Sequence, residues 1–393
     1  MRKREKALPL ICTTSRRIAS LAALAAGFLG GCSPGVPSNA VHHPQATYLG
    51  REGKPSSYVR LEERPIGKAE AEHLIGRTVS TVSIGALDAP AEKVFGSIAQ
   101  VTRDARGRII VLEERSSQVR VFSPTGAFLF AVGRPGRGPG EFTNPLSVAI
   151  DSAGRLLVAD LTRQIHVFKP VADSFEYVRS IGIGVSAQGM CVLGGTVVVH
   201  GLLLERPEAL HEFTLEGVLL RTFGVVYKSP SPIINYTLSK SRLACNAGRG
   251  LIILAPIGGI GEVYAFDTLG SRVWATKVNG FRPTDLIEVA NGYGVQIPET
   301  GFHSIRAVVL LNERDLLVQV AFKTRESTVR ADEFAALHSF ILSSLDGRGR
   351  YLGAWLPPVG AAGSGYRIAV SADPYPSIAL DSVLGSSRVG SRK

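Results

Sequence analysis

The fold of this chain is decided by the stretch GRPGRGPGEFTNPLSVAIDSAGRLLVADLTRQIHVF, residues 133–168. Two apolar runs, at 146–150 and 156–159, are separated by Asp-Ser-Ala-Gly, which is typical of a tight hairpin turn because Asp caps the turn and Gly accepts a positive φ. A third run at 165–168 and a fourth at 175–181 follow. The unit therefore predicts four short antiparallel strands, and such a sheet needs copies of itself alongside to bury a core.

Similar units recur along the chain, and the last of them lacks its fourth strand. A spare run of alternating β-branched residues at 77–84 can supply it, and a closed ring then leaves no open sheet edge. The sequence predicts an all-β fold: a six-bladed β-propeller of four-stranded antiparallel blades, closed by an N-terminal strand. The blade register is left open beyond Asn279, where the spacing is irregular. The first strands are predicted to begin at Val94, Leu146, Met190, Arg242, Ser304 and Tyr366.

The same residues carry a resemblance to a known family. The segments RPGRGPGEF, PLSVAID, GRLLVAD and IHVF resemble the NHL-repeat pattern, and the chain is similar to six-bladed propeller lipoproteins of bacteria built from such repeats. The resemblance is close over residues 96–182, recognisable to 278 and poor beyond that point. It implies a six-bladed propeller in a family of mixed functions, mostly binding proteins with a few enzymes.

The N-terminal 31 residues resemble a bacterial lipoprotein signal peptide. A basic start is followed by a small and apolar run at 18–28 and then by Leu29-Gly30-Gly31-Cys32, the order of such a signal with its lipobox. The apolar run is too short to cross a bilayer, since a spanning helix needs about 20 residues. The resemblance implies cleavage before Cys32 and lipidation of its thiol and new amino terminus, which is enough for stable anchoring.

The chain is therefore divided into a signal peptide at 1–31, a lipidated Cys with a flexible tether at 32–65, and the propeller at 66–393. Pro, Gly and Ser are frequent in the tether. The formal charge of +11 includes +5 from the signal peptide, which leaves +6. This mild excess, without a Lys/Arg block, argues against nucleic-acid binding. We expect a monomer in the bacterial cell envelope, extracytoplasmic and anchored to the membrane by its lipid, at the periplasmic face or the outer membrane.

Two cysteines remain in the propeller, Cys191 and Cys245. An exported chain lies where disulfides persist, so a disulfide is one alternative, and two small buried hydrophobic side chains are the other. When Val197 is aligned with Leu251, the two cysteines take matching positions in neighbouring blades. Matching side chains point the same way around the ring, and we therefore predict that these two do not face each other.

Long connections are expected at one end of the ring, because the connections of a four-stranded blade alternate between its two ends. This loop-rich face is the candidate site for an envelope protein, a glycan or a small anionic ligand. Basic residues where first strands enter the channel either converge on an anion or point to solvent: Lys93, Arg242, Arg306 and Arg367. Aromatic residues and a histidine in the inserted loops either stack on the ligand or hold the loops: Tyr227, Tyr236, Phe281, Tyr293 and His303.

The Gly-rich run at 133–140 is interpreted as a crossing loop between blades, since a phosphate-binding loop needs a helix after its glycines and a strand is predicted here. The sequence offers few candidate catalytic residues. Glu113, Asp160 and Glu205 follow second strands at similar positions, and we predict that they cap turns or pair with Arg, with a carboxylate cluster as the alternative.

No catalytic residue, metal ligand or cofactor is assigned. His200 and His303 are the histidines expected near the candidate face, and a catalytic zinc site normally takes three protein ligands. The predicted function is therefore a lipid-anchored extracytoplasmic binding or interaction propeller. The resemblance also implies an alternative, a metal-dependent lactonase or lyase acting at the propeller channel.

Overall fold

The structure, a computed structural model, describes residues 82–354 apart from 83, 86–88, 97, 202, 204–207, 226–239, 259–260, 279, 290–291, 311–312 and 325–335. It also describes residues 40–41, 59–60, 62–65, 366–370 and 378–382. The chain divides into two compact units, 1–39 and 40–393, and every described residue belongs to the second. Within these residues, no helix is both long and apolar enough to cross a membrane. Cys32 and the predicted signal peptide lie outside them.

Short β-strands make up most of the described chain. In chain order they are β1 (Ala40–Val41), β2 (Val59–Arg60), β3 (Glu62–Pro65), β4 (Ile98–Arg103), β5 (Ile109–Glu113), β6 (Gln118–Phe122), β7 (Phe128–Val132), β8 (Pro145–Ile150), β9 (Leu156–Asp160), β10 (Gln164–Val171), β11 (Ser174–Gly182), β12 (Ala187–Leu193), β13 (Thr196–Gly201), β14 (Glu208–Thr214) and β15 (Leu219–Val225). They continue with β16 (Ser241–Asn246), β17 (Leu251–Pro256), β18 (Glu262–Phe266), β19 (Arg272–Lys277), β20 (Asp285–Val289), β21 (Gly292–Gln296), β22 (Phe302–Leu310), β23 (Asp315–Lys323), β24 (Ala336–Ser343), β25 (Gly349–Ala354), β26 (Tyr366–Val370) and β27 (Ile378–Ser382). Two 3-10 turns are at Ala91–Lys93 and Ala247–Arg249.

Consecutive antiparallel strands form the blades. Blade one is β4 to β7, blade two β8 to β11, blade three β12 to β15, blade four β16 to β19 and blade five β22 to β25, while β26 and β27 form an antiparallel pair in the sixth position. The first strands contact one another in the cyclic order β4, β8, β12, β16, β22, β26 and back to β4, so the ring is closed. The predicted fold, an all-β six-bladed propeller, is confirmed.

The core lies between the blades. Each second strand alternates its side chains between its two neighbouring blades, because successive residues of a strand point to opposite faces. In blade two, Leu156 and Val158 pack towards blade one, whereas Leu157 and Ala159 pack towards blade three. All four are fully buried. Burying a large apolar side chain stabilises the fold by about 1.5–3 kcal/mol, so these interfaces hold the ring together.

The hairpin turns of blades one and two share one hydrogen-bonding pattern. Asp151 Oδ1 accepts two backbone N–H groups of its turn, and Oδ2 accepts the Arg155 Nε–H with the heavy atoms 2.6 Å apart. Gly154 closes the turn with a φ of 76°. Asp104 makes the same three contacts in blade one. The roles predicted for Asp and Gly in this turn are confirmed.

The two propeller cysteines form a disulfide between the first strands of blades three and four, so the prediction that they do not face each other is wrong. The error is one residue of register. Val197 faces blade two, and its counterpart in blade four is Ile252, which faces blade three, whereas Leu251 faces blade five. A shift of one residue moves a side chain to the opposite face of a strand. Cys191 therefore points to blade four and Cys245 to blade three, with their Cα atoms 5.9 Å apart.

The connection between blades four and five contains a hairpin, whereas the sequence predicted a loop there. β20 and β21 pair antiparallel, and β1 adds to the free side of β20. The sequence has an Asn-Gly dipeptide at 291–292, which is a common hairpin signal. The longest connection between blades therefore contains a folded hairpin.

N-terminal strands border blades four and five. β2 pairs in parallel with β19, and β3 pairs in parallel with β25, so each of these blades has a fifth strand. Both strands lie within the segment for which we predicted a tether, and the structure places them against the propeller. The predicted ring-closing strand at 77–84 lies mostly outside the described residues. Of its residues, Val82 and Ile84 lie beside Gly126 of blade one.

Candidate functional site

One end of the ring carries the long connections. These link second to third strands or one blade to the next, and the longest span residues 133–144, 226–240, 278–301 and 324–335. At the opposite end, the connections within blades one to five have at most five residues each. The predicted placement of the long connections therefore agrees with the strand boundaries, and this end is the loop-rich face.

A buried carboxylate fixes the loop-rich face in blade two. Asp160, the last residue of β9, is fully buried. Its Oδ2 accepts the backbone N–H groups of Thr143 at 2.7 Å and Asn144 at 3.1 Å, and its Oδ1 accepts that of Thr162 at 2.8 Å. Asp160 therefore ties the loop that enters blade two to the turn between β9 and β10.

Glu113 does the same in blade one. It is the last residue of β5 and is 1% exposed. Its Oε1 accepts the Gly96 N–H at 3.0 Å, ahead of β4, and its Oε2 accepts the Ser116 N–H at 2.5 Å, in the turn after β5. The prediction that Glu113 and Asp160 cap turns is confirmed. Glu205 lies outside the described residues.

His166, in β10, lies near the Asp160 anchor. Its Nδ1 is 2.9 Å from Ser180 Oγ, and its ring meets the Phe142 ring edge-on with centroids 5.2 Å apart. Burial lowers the pKa of His166 below its ordinary value, and the Asp160 carboxylate partly offsets this shift. The folded protein therefore favours the neutral imidazole.

We expect acidification to weaken the fold through His166. Because its pKa is lower in the folded state, the unfolded chain takes up the proton first as the pH falls, and stability decreases from about pH 6.5 down through the folded-state pKa. Urea unfolding at about pH 7.5 and about pH 5.5 compares the wild type with His166→Phe. The variant should lose less unfolding free energy between the two pH values, and an equal loss in both proteins would contradict the prediction.

The Gly-rich run is a crossing loop, as interpreted from the sequence, and a strand rather than a helix follows it. Gly133 has a φ of 80°, and a Cβ there would lie 2.1 Å from the Phe142 ring, so this position requires glycine. Glu141 accepts the Gly138 N–H and the Arg134 Nε–H, each at 2.8 Å. These hydrogen bonds lower the pKa of Glu141, with the Gly138 bond having the larger effect.

The four basic residues predicted at the channel mouth occupy two kinds of position. Arg242 and Arg367 are each the second residue of a first strand, and Arg306 lies on β22 at a register shift. Lys93 instead ends a 3-10 turn that precedes β4. The Arg120 guanidinium holds this turn by donating to two of its backbone carbonyls, those of Ala91 and Glu92, and to that of Val94, which follows it. Three of the residues thus lie on the consecutive first strands of blades four, five and six, and Lys93 lies off the strands.

Two of the predicted loop residues, Phe281 and His303, are in contact, with ring centroids 5.5 Å apart. The His303 ring also lies 5.0 Å from that of Phe322. The Arg282 backbone N–H donates to His303 Nδ1 at 2.8 Å, and its guanidinium lies over the Phe322 ring at 5.8 Å. Arg282 and Phe322 were not predicted from the sequence, although Arg282 directly follows Phe281. The result is an aromatic cluster between blades four and five.

Tyr227 and Tyr236 lie outside the described residues. Tyr293 lies on β21, opposite Glu288 of β20. In the described part of the chain, no group of three or more His, Cys, Asp or Glu side chains could hold a metal ion.

Comparison with known proteins matches part of the chain to a family. A family described as "6-bladed beta-propeller" matches residues 76–194. No curated protein sequence matches the chain.

The chain is similar to three solved structures, as follows. A candidate exported protein of Bacteroides fragilis has 14% identity and a TM-score of 0.48, with 69% of this chain and 75% of that chain covered. A protein of unknown function from Bacteroides caccae has 15% identity and a TM-score of 0.40, with coverage of 65% and 81%. Hydrazine synthase of Kuenenia stuttgartiensis has 13% identity and a TM-score of 0.41, and the match spans 66% of each chain. At these values the likenesses assign no ligand to this chain.

Proposed function

We propose that this chain is an extracytoplasmic binding propeller that is held at the bacterial cell envelope by a lipid on Cys32 and binds its ligand or partner on the loop-rich face. The observation that carries the proposal is the pair of buried carboxylates, Asp160 and Glu113, which hold connections of this face in fixed positions. Binding surfaces built on loops need such support from a rigid scaffold. The opposite end of the ring has only short turns in blades one to five.

The disulfide between Cys191 and Cys245 supports the extracytoplasmic location. Disulfides form and persist in oxidising compartments such as the periplasm and are rare in the cytosol. The bond also joins two first strands, next to the central channel, and so rigidifies the scaffold under the candidate face.

Two groups of the predicted site residues suit an envelope protein, a glycan or a small anion. Arg242, Arg306 and Arg367 bring positive charge to the first strands of three consecutive blades, and charge-assisted hydrogen bonds to an anion are stronger than neutral ones. Phe281 and His303 offer aromatic surface, to which sugar rings and peptide side chains can pack. The chain acts as a monomer in this proposal, because a single ring presents the whole face.

The anchoring is tested with Cys32→Ala in a bacterial host supplied with labelled palmitate. The wild-type chain should carry the label and sediment with membranes. The variant should be unlabelled and should remain uncleaved or be released in soluble form. A labelled variant, or a wild-type chain without label, would refute the lipid anchor while leaving the binding proposal intact.

The binding face is tested by hydrogen exchange of the purified chain with and without candidate glycans, metabolites and envelope extracts. A ligand should slow exchange in the connections 133–144 and 161–163. The turn at 151–155, on the opposite end, is the internal control. Protection confined to the turn at 151–155 would place the binding site at the opposite end of the ring and contradict the proposal.

A further inference from the structure

We propose that three arginines of blades one and two, Arg115, Arg137 and Arg163, form a surface that binds phosphate groups. The inference rests on the proposed function, because it assigns a ligand chemistry to the loop-rich face. It uses none of the four basic residues predicted at the channel mouth.

The three arginines come from three connections at the same end of two neighbouring blades. Arg115 lies in the turn between β5 and β6, Arg137 in the loop between β7 and β8, and Arg163 in the turn between β9 and β10. Packed sheets lie about 10 Å apart, so the connections are near neighbours. All three residues are exposed. The buried carboxylates Glu113 and Asp160 hold the two turns, which limits the entropy lost when the arginines bind a ligand.

The guanidinium groups of these three arginines have no partner within the described part of the chain. None of the three makes a side-chain hydrogen bond or an ion pair there. Other arginines of the same blades do: Arg134 pairs with Glu141 at 2.7 Å, and Arg155 pairs with Asp151 at 2.6 Å. Three exposed guanidinium groups are therefore available to an external anion.

Arg163 also has an unfavourable backbone conformation. Its φ is 65°, in the left-handed region that Gly and Asn tolerate best. The backbone is held there by two hydrogen bonds, from its N–H to the Asp160 carbonyl and from the Ile183 N–H to its own carbonyl. Ser117, at the corresponding position of blade one, has a φ of 50°. An arginine at such a position costs stability, which indicates a use for its side chain.

The arrangement fits phosphate better than carboxylate. A carboxylate presents two coplanar oxygens, which a single guanidinium fork satisfies. A terminal phosphate carries more charge and presents three acceptor oxygens, so donors from several connections can bind it at once. The shared chemistry is a phosphate group, and its source is either a lipid headgroup or a soluble polyphosphate.

Binding of the full chain carrying Cys32→Ala to tripolyphosphate, and to vesicles of phosphatidylcholine with and without phosphatidylglycerol, tests the inference. We expect saturable binding to at least one phosphate probe, and the probe that binds identifies the source. Each single change, Arg115→Gln, Arg137→Gln or Arg163→Gln, should weaken binding about tenfold, the usual effect of losing one charge-assisted hydrogen bond. The matched control is Arg103→Gln, Arg249→Gln and Arg348→Gln combined, which removes three arginines from the opposite end and should leave binding unchanged.

Arg163→Asn separates a binding role from a structural one. This variant should unfold at a higher urea concentration than the wild type, because Asn tolerates the left-handed conformation, and yet should bind the phosphate probe more weakly. Lack of binding to both phosphate probes overturns the inference, as does equal weakening by the control variant or equally tight binding of polyglutamate. The proposed function survives those outcomes if another ligand protects the loop-rich face in hydrogen exchange.

Discussion

Replacing Asp160 with alanine is expected to lower the free energy of unfolding by about 3 kcal/mol. The change removes three hydrogen bonds from backbone N–H groups to a fully buried carboxylate. Hydrogen bonds to charged groups contribute about 1.5–3 kcal/mol each, and buried N–H groups left without a partner add a further cost. Rearrangement of the loop recovers part of the loss. Urea unfolding of Asp160→Ala and the wild type measures the difference.

Asp173→Ala is the matched control, since Asp173 also lies in blade two but has a fully exposed side chain, which makes a 3.8 Å ion pair with Arg106. Surface changes of this kind usually stay within about 0.5 kcal/mol. Hydrogen exchange should also become faster at Thr143, Asn144 and Thr162 in the Asp160 variant. An Asp160→Ala variant as stable as the Asp173→Ala control would show that the Asp160 carboxylate does not stabilise the loop-rich face.

Loss of the disulfide should be the largest single change in stability. The two cysteines are separated by 54 residues in sequence, and closing a loop of that length restricts the unfolded chain by about 4 kcal/mol in the chain-entropy account. Cys191→Ala and Cys245→Ala together should therefore lower the unfolding free energy by about that amount. Reduced wild-type protein provides an independent measurement without any substitution.

Each single cysteine variant should match the double variant, because either change abolishes the bond. The reducing agent should also leave the double variant unaffected. A wild-type protein that unfolds at the same urea concentration in reduced and oxidised form would show that the bond does not stabilise the ring.

The blades could be predicted because their signals are local. The alternating apolar residues and the Asp-Gly turns of blade two marked a second strand at 156–159, and the structure has Leu156–Asp160. Blade five was also located, with a first strand predicted to begin at Ser304 and found at Phe302–Leu310. β2 and β3 were missed because such short strands carry no periodic pattern. Their partners lie more than 200 residues away, so only the folded ring brings them together.

Site residues could be predicted where the same sequence position recurs in successive blades. They could not be predicted where strand register or side-chain pairing determines the contacts. Glu113 and Asp160 stand at the ends of the second strands of two successive blades, and that repetition was enough to predict turn capping. The disulfide was missed because both faces of the second strands are buried and apolar, so the sequence does not show which residue points to which neighbouring blade. The alignment of Val197 with Leu251 was therefore wrong by one residue. Nothing in the sequence distinguishes Arg163 from an arginine that pairs with a neighbouring acid.

The parallel addition of β2 to β19 and β3 to β25 has a consequence for the order of folding. A chain that crosses a membrane with its N-terminus first delivers residues 59–65 long before their partners on blades four and five. Contacts of such high sequence separation form late and slow the overall folding reaction. If the chain is exported as proposed, we therefore expect blades one to three to form before β2 and β3 pair, because these two strands have no partners until residues up to 354 have emerged.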